Sequence, residues 1–205
     1  DVVQTIRGIQ LSAILIWVQL FGAAIGIFFA QDWGLRLVSI FFWILFSNQI
    51  FSRRLRLDLR NWAIFTQLPF NPLRLVLMEV SLPVIGSILV NWTALWLTSR
   101  FLSLIQPVGM TILIPGVILG MAMITTWDIL RQCESESLLA DIVPGVDIWS
   151  FVVGAIGILV PFGVFAGMIS FRVISPLPYL GALFANFIVL IVLFQFVKNS
   201  YRDIQ

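Results

Sequence analysis

The sequence contains no histidine, a single cysteine and a single lysine. The absence of histidine removes the usual axial ligand of haem, a common zinc ligand and the usual general base. Cys133 stands alone, which excludes an internal disulfide and a Cys-x-x-Cys metal or redox site. Lys198 is not part of a Gly-x-x-x-x-Gly-Lys-Ser/Thr motif, so this sequence holds no P-loop. We therefore expect no cofactor, and any ATP hydrolysis has to come from another chain or from protein outside this sequence.

Charged residues are also scarce, at 11% of the 205 residues, while 60% are apolar. Soluble domains average about 25% charged and roughly 45–50% apolar residues. This composition indicates an integral membrane protein. The net charge of +2 is too small to favour nucleic acid as a partner, and the basic residues border apolar segments, as membrane topology predicts.

Six apolar segments have the length of membrane spans. A hydrocarbon core about 30 Å thick needs roughly 20 apolar residues in a helix. The sequence predicts an all-α polytopic membrane protein, a single transmembrane domain over 1–205, with spans at 9–30, 33–51, 75–97, 107–127, 148–170 and 177–197. Arg36 lies near the start of the second span, so we expect its side chain to snorkel to the interface. The chain begins with Asp1 rather than Met, which leaves open that it is a piece of a longer protein.

The basic residues divide unequally between the two sides of this six-span model. One side holds Arg7, Arg53, Arg54, Arg56, Arg60, Arg74, Arg131, Lys198 and Arg202, and the other holds Arg36, Arg100 and Arg172. The positive-inside rule then places both termini and the basic loop in the cytoplasm, in a plasma or inner membrane. We expect the rings of Trp33, Trp92, Trp96, Trp127, Trp149 and Tyr179, near span ends, to lie at headgroup level.

The predicted spans carry no ionisable group at mid-depth, which argues against a proton- or ion-coupled carrier. Their polar side chains are amides and hydroxyls, among them Gln19, Asn91, Thr93, Asn186 and Gln195. Interhelical hydrogen bonds are the first interpretation of these residues. A sparse polar lining for a translocation path is the alternative.

Small residues recur at helical spacing in three spans. The Gly-x-x-x-Gly pairs are Gly22 with Gly26, Gly116 with Gly120, and Gly163 with Gly167. Each pair predicts close helix packing, within the chain for at least two pairs, and the sequence leaves a subunit interface open for one. Prolines at 83, 115 and 161 each free a backbone carbonyl and predict a kink.

The basic loop between the second and third spans has an amphipathic pattern. Leu55, Leu59, Trp62 and Ala63 share one helical face, and Arg53, Arg56 and Arg60 share another. The pattern predicts a short interfacial helix that ends before Pro69, because a residue that precedes proline disfavours helical geometry. Asn71 then suits an N-cap, and Pro72 suits the first position of the next helix. An anchor whose arginines bind lipid phosphates is one interpretation.

The segment Asp58-Leu-Arg-Asn-Trp-Ala-Ile-Phe-Thr-Gln-Leu-Pro-Phe-Asn-Pro-Leu-Arg74, followed by Leu75-Val-Leu-Met-Glu-Val80, resembles permease subunits of type-2 ABC exporters. The resemblance covers about 25 residues and is only architectural elsewhere. It implies that this segment is a coupling helix seated in a groove of a cytoplasmic ATPase subunit, with a second permease copy or half and membrane lipids as further partners. The docking residues it implies are Arg60, Trp62, Phe65, Leu68, Pro69, Phe70, Asn71, Pro72 and Arg74.

The function predicted from the sequence is therefore a transport permease and not an enzyme. A membrane scaffold that holds a cytoplasmic protein through the same loop is the rival hypothesis. An intramembrane enzyme has little support, because no ionisable pair lies within a span. In the acidic loop 128–147, a helix over Ile129 to Ala140 is predicted, and a solvated loop is favoured over a second docking surface.

Overall fold

The computed structural model describes the backbone of residues 11–60, 72–102, 104–135, 167 and 175–204, with side chains at 14–52, 80–100, 102, 104–129, 167 and 175–199. These residues form helices and contain no strand. The helices are α1 (Leu11–Phe29), α2 (Trp33–Arg60), α3 (Pro72–Thr98), a 3-10 turn (Ser99–Phe101), α4 (Ile105–Ser135) and α5 (Leu177–Ile204).

Four of these helices are long and apolar enough to cross a membrane. The qualifying segments are Trp33–Ser52, Val80–Thr98, Ile105–Ile129 and Leu177–Asn199, and α1 adds a shorter apolar stretch, Ile14–Phe29. Together they indicate an integral membrane protein with a helical fold. The fifth predicted span, 148–170, lies outside the described residues apart from Gly167, so the described helices do not test the count of six.

The register of neighbouring helices gives their directions. Gly26 of α1 lies against Ser39 of α2, across a connection of only three residues, so these two helices are antiparallel. By contrast, Gly109 lies against Tyr179, and Gly116, seven residues on, lies against Asn186, also seven residues on. Helices α4 and α5 are therefore parallel. The end of α4 and the start of α5 lie at opposite ends of the bundle, which is the arrangement that a predicted fifth span requires.

The two ends of the bundle differ in their number of Arg and Lys residues. One, here called the turn end, holds the α1–α2 and α3–α4 connections with Arg36 and Arg100. The other, here called the basic end, holds the last residues of α2, α4 and α5 and the first of α3, with Arg53, Arg54, Arg56, Arg60, Arg74, Arg131, Lys198 and Arg202. The asymmetry predicted from the sequence thus holds among the described helices.

Helix α4 is the centre of the bundle. It contacts α2, α3 and α5, and 56% of its candidate span is buried, against 22% for α5. Among the described helices, α5 makes extensive contact only with α4, and it exposes large apolar residues elsewhere. The core combines Leu20, Ala24 and Ile27 of α1 with Trp43 of α2, Leu95 of α3, and Met110 and Leu113 of α4.

Glycines bring the helix axes close at three interfaces. Gly26 lies against the Ser39 hydroxyl and Gly86 against the Trp17 ring. On α4, Gly109 lies against Tyr179 and Gly116 against Asn186. A Cβ on Gly86 would lie 2.8 Å from Cη2 of Trp17, so no larger residue fits there without movement. In a bilayer the lipid tails are as apolar as the side chains, so close van der Waals packing of this kind stabilises helix pairs.

The α1–α2 connection is fixed by two polar side chains. Asp32 caps α2, because the Leu35 amide donates to its Oδ2 at 3.2 Å. Arg36 was expected to snorkel to the interface, but its side chain is only 2% exposed, and its guanidinium donates to the Ala30 carbonyl. That carbonyl lies at the end of α1, where the helix dipole is negative and carbonyls lack intrahelical donors. The arginine therefore joins two helices.

The aromatic residues near the span ends are of two kinds. Trp33 and Trp96 are exposed at the turn end, as expected of interfacial rings. Tyr179 is buried against Gly109, and Trp92 is half-buried against α4. Each of these two rings fills a space between helices, and their position at headgroup level stays a prediction.

The parallel α4–α5 pair allows a direct test of glycine packing. We expect Gly116→Ala to destabilise the protein by about 1–3 kcal/mol, because the new Cβ would lie 3.2 Å from Cγ of the buried Asn186 and still closer to its amide nitrogen. Gly120→Ala is the matched control, since its Cβ would meet Leu190 and Leu193 only at 3.9 Å. Thermal unfolding in detergent micelles should show a lower Tm for Gly116→Ala alone. Equal Tm values for both variants would contradict the packing.

Candidate functional site

The segment predicted to dock a partner follows α2 and precedes α3. Helix α2 continues without a break from the span to Arg60, so the first half of the predicted interfacial helix is an extension of α2 and not a separate element. Helix α3 begins at Pro72, the predicted first helical position. Residues 61–71, which include Trp62, Phe65, Leu68, Pro69, Phe70 and Asn71, lie outside the described residues, as do the side chains of Arg60, Pro72 and Arg74.

Both helices are longer than a bilayer requires. Helix α2 has 28 residues and α3 has 27, which gives each a length of about 40 Å. A hydrocarbon core is about 30 Å thick. The candidate spans begin at Trp33 in α2 and end at Thr98 in α3, both at the turn end, so the excess of roughly 10 Å in each helix lies at the basic end. Helix α4 is also continuous past its span, through Ile129 to Ser135, so the start of the helix predicted at Ile129 is an extension as well.

A buried hydrogen bond joins the same two helices inside the bundle. The Trp43 indole Nε1 of α2 donates to Asn91 Oδ1 of α3 at 2.9 Å, and Asn91 Nδ2 donates to the Ser87 carbonyl at 2.8 Å. Trp43 has no exposed surface, and Asn91 is 2% exposed. Both ends of the Asn91 amide are thus satisfied where water is absent. This is an interhelical bond of the kind expected for Asn91 from the sequence.

Two serine hydroxyls flank this bond. Ser47 lies one turn beyond Trp43, and Ser87 lies one turn before Asn91, so the antiparallel register brings both to the same level. Both are fully buried, and in the described part of the chain neither Oγ has a hydrogen-bond partner. Most other helical hydroxyls instead donate to their own helix, as Thr98, Thr125 and Thr126 do. The two serines therefore hold unused hydrogen-bonding capacity between α2 and α3.

A second cross-helix bond compensates for a proline. Pro115 has no amide hydrogen, so the Thr111 carbonyl of α4 loses its intrahelical donor. The Trp92 indole Nε1 of α3 donates to that carbonyl at 3.1 Å. A backbone group that lacks a partner in the bilayer core costs several kcal/mol. Trp92 thus satisfies α4 and ties it to α3.

The polar residues predicted to face other helices divide into two groups. Asn91 and Asn186 are buried, whereas Gln19, Thr93 and Gln195 are exposed, and Thr93 Oγ1 donates to its own helix at Val90. For the three exposed residues, the prediction that they face other helices of the chain was wrong. The sequence analysis missed the buried Ser47, Ser87, Gln106, Thr125 and Thr126. Ser47 lies four residues from the buried Trp43, and Ser87 lies four residues from the buried Asn91, so each serine shares a helical face with a buried residue. This spacing is the signal that identifies them.

The Gly-x-x-x-Gly pairs are also unequal. Gly116 and Gly120 both face α5, and Gly26 faces α2. Gly22 is exposed, and a Cβ there would meet no atom within 4 Å; the same open space surrounds Gly167, while Gly163 lies outside the described residues. In the first pair, Gly22 is therefore exposed while Gly26 packs against α2.

In the described part of the chain, the buried polar side chains are suited mainly to hydrogen bonding. Within the described ranges, no group of three or more His, Cys, Asp or Glu lies close enough to hold a metal ion. Apart from Arg36, the buried polar side chains there are amides and hydroxyls. Comparison with protein-family models, curated proteins and solved structures finds no match to this chain.

The Trp92 bond can be tested through the proline that requires it. We expect Trp92→Phe to destabilise the protein by about 0.6–1.7 kcal/mol, which runs from the average to the largest value found for interhelical hydrogen bonds in a membrane protein. In a Pro115→Ala background the same substitution should cost less, because the backbone amide restored by that change can then donate to the Thr111 carbonyl. Unfolding titrations in mixed micelles of the four variants measure the difference. An equal cost in both backgrounds would show that the carbonyl does not depend on Trp92.

Proposed function

We propose that the protein is the membrane-spanning permease subunit of an ATP-driven exporter, in which residues 60–74 dock a separate cytoplasmic ATPase. The observation that carries the proposal is the excess length of α2 and α3 at the basic end. The described ends of both helices, at Arg60 and Pro72, extend past the candidate spans. In this proposal the intervening segment meets the ATPase on that side of the membrane.

The contacts of these two helices support a role in transmission. Helix α2 also packs on α1 and α4, and α3 also packs on α1 and α4. The Trp43–Asn91 bond joins α2 to α3, and the Trp92–Thr111 bond joins α3 to α4. A force applied to residues 61–71 is therefore passed to the central helix through packed side chains and hydrogen bonds. The substrate path would open between helices of this bundle.

The pattern of charge supports the orientation that the proposal needs. The basic end, where α2 stops and α3 starts, carries more basic residues than the turn end. By the positive-inside rule, that end faces the cytoplasm, where an ATPase is found. The same geometry serves a scaffold that holds a cytoplasmic protein, so the experiments have to separate docking from energy coupling.

Accessibility labelling tests the orientation. Single cysteines introduced at Gln4, Asn61 and Ser135, each in a Cys133→Ser background, should react with impermeant reagents only after the cytoplasmic side is opened. Gln31, in the α1–α2 connection, is the control at the turn end and should label from outside intact cells. Labelling of the Asn61 position from outside would reverse the orientation and remove the proposed docking site from the ATPase.

Docking is tested by aromatic truncation. If Phe65 and Phe70 are anchors of the interface, Phe65→Ala and Phe70→Ala should each cost about 2 kcal/mol or more, which weakens docking by more than roughly tenfold. The ATPase activity that copurifies with the tagged chain from its native membranes measures this. Phe184→Ala, an exposed apolar position on α5, is the matched control and should retain that activity.

The charge variant Arg53→Gln/Arg54→Gln/Arg56→Gln separates a lipid anchor from a docking site. If lipid binding is the role of the segment, this variant should fail to localise, and the Phe variants should behave as wild type. A scaffold predicts that a protein copurifies without ATPase activity. Undiminished ATPase recovery with the double Phe variant would refute the proposal.

A further inference from the structure

Two buried hydroxyls lie between α2 and α3 within the hydrocarbon core. Ser47 and Ser87, here called the serine pair, have no exposed surface, and within the described residues neither Oγ has a hydrogen-bond partner. Ser47 is five residues inside the α2 span, which ends at Ser52, and Ser87 is seven residues inside the α3 span, which begins at Val80. Both are therefore roughly 8–10 Å from the basic end of the core.

The register of α2 and α3 brings the serine pair to one level. The Trp43 indole donates to Asn91 at 2.9 Å, which fixes how the two antiparallel helices face each other. Ser47 follows Trp43 by four residues, and Ser87 precedes Asn91 by four, so each serine lies one turn away on the same helical face. Helices α1 and α4 pack on both α2 and α3, which accounts for the complete burial of the pair.

The hydroxyls of the pair do not use the acceptors of their own helices. A serine or threonine in a helix can donate to the carbonyl four residues before it, as Thr125 and Thr126 do at 3.0 and 2.7 Å. The corresponding carbonyls for the serine pair belong to Trp43 and Pro83, and neither serine Oγ bonds to them. The two hydroxyls do not bond to each other either. A buried hydroxyl without a partner keeps its full desolvation cost, so a partner of another kind is expected.

Water has the hydrogen-bonding chemistry that this pair requires. A water molecule offers two donors and two acceptors, and each serine hydroxyl offers one donor and two acceptor lone pairs, so one water can bridge both. A helical carbonyl such as that of Trp43 keeps a second lone pair, which supplies the third contact that is usual for buried waters. A metal cation instead requires several oxygen ligands and usually a carboxylate, and the serine pair is uncharged.

We propose that the serine pair is a binding site for an ordered water molecule, which bridges Ser47 Oγ and Ser87 Oγ between α2 and α3. Asn91 does not compete for this water, because its amide oxygen accepts from Trp43 and its nitrogen donates to the Ser87 carbonyl. The water is an additional link between the two helices, placed one turn closer to the basic end than the Trp43–Asn91 bond. The proposal does not depend on transport, since a scaffold with the same helix pair would bind the same water.

The sign of a stability change tests the bridge. Ser47→Ala and Ser87→Ala should each lower the folding equilibrium constant about threefold, the average effect of an interhelical hydrogen bond in a membrane protein. The double variant should lose little more than either single variant, because the loss of either serine releases the same water. If the hydroxyls have no partner at all, their removal should instead raise stability. Unfolding titrations of the full chain in mixed micelles measure these constants.

Ser39→Ala is the matched control on the same helix. Ser39 lies one turn from Trp43 on the side opposite to Ser47, and its Oγ donates to the Leu35 carbonyl at 2.8 Å. Its effect on the folding equilibrium constant should add to that of Ser87→Ala, since the two hydroxyls share no partner.

Radiolytic footprinting tests for the water itself. X-ray irradiation forms hydroxyl radicals from bound as well as bulk water, and these oxidise neighbouring side chains. In the wild-type chain in nanodiscs, Trp43 should be oxidised although it has no exposed surface, whereas Met121, which is 3% exposed, should be protected. In Ser47→Ala/Ser87→Ala, oxidation of Trp43 should fall to the level of Met121, and in Ser39→Ala it should stay as in wild type. Mass spectrometry of the peptides gives both rates.

Three results would overturn the proposal. Unchanged or raised stability in both single variants would show that the hydroxyls hold no bridge. Additive losses would mean that each serine has a separate partner. Protection of Trp43 in the wild-type chain would leave a direct bond between the serines as the explanation of any coupling. Non-additive losses together with serine-dependent oxidation of Trp43 establish the water site.

Discussion

The bilayer core contains no water, so a polar group there has to find its partner within the protein. This constraint accounts for the cross-helix bonds of the structure. Pro115 deprives the Thr111 carbonyl of its donor, and Trp92 from the neighbouring helix supplies one. At the end of α1 the Ala30 carbonyl is likewise satisfied by Arg36 from α2. In both cases a backbone carbonyl that lacks a donor in its own helix accepts a hydrogen bond from a side chain of another helix. The position of such a carbonyl therefore helps to specify which helices are neighbours.

Close packing then sets the spacing that those bonds need. Hydrophobic burial does not drive helices together when the surrounding solvent is hydrocarbon, and the interfaces depend on small residues that let large ones enter. Trp17 and Tyr179 each occupy the space above a glycine, and neither partner could be enlarged without moving a helix. The same principle predicts that Gly120 tolerates a Cβ better than Gly116. Next to Gly120 the Cβ would make ordinary van der Waals contact with Leu190 and Leu193 at 3.9 Å, whereas next to Gly116 the buried amide of Asn186 would have to move.

The sequence predicted the positions of the helices well, but it predicted poorly which face of each helix is buried. Apolar length alone placed five of the six predicted spans on described helices, because the bilayer imposes that length. The remaining one, the fifth predicted span at 148–170, lies outside the described residues apart from Gly167. Individual orientations needed the packed structure. Nothing in the local sequence distinguishes Asn91, which bonds Trp43, from Gln19, which is exposed on α1, since both are amides in apolar helices. The docking residues between Arg60 and Arg74 came from resemblance, and the described helices show only where α2 ends and α3 begins.

Three cross-helix bonds lie in the same half of the bundle. Arg36–Ala30, Trp92–Thr111 and Trp43–Asn91 all lie between the turn end and mid-depth. From Trp43 to Arg60, by contrast, α2 runs about 25 Å. If the α2–α3 pair tilted about the Trp43–Asn91 bond, the displacement would be largest at the basic end. A movement of about 5 Å at the tip would correspond to a tilt of only roughly 11° at that bond. Such a tilt is small enough for packed helices to accommodate by sliding side chains past one another.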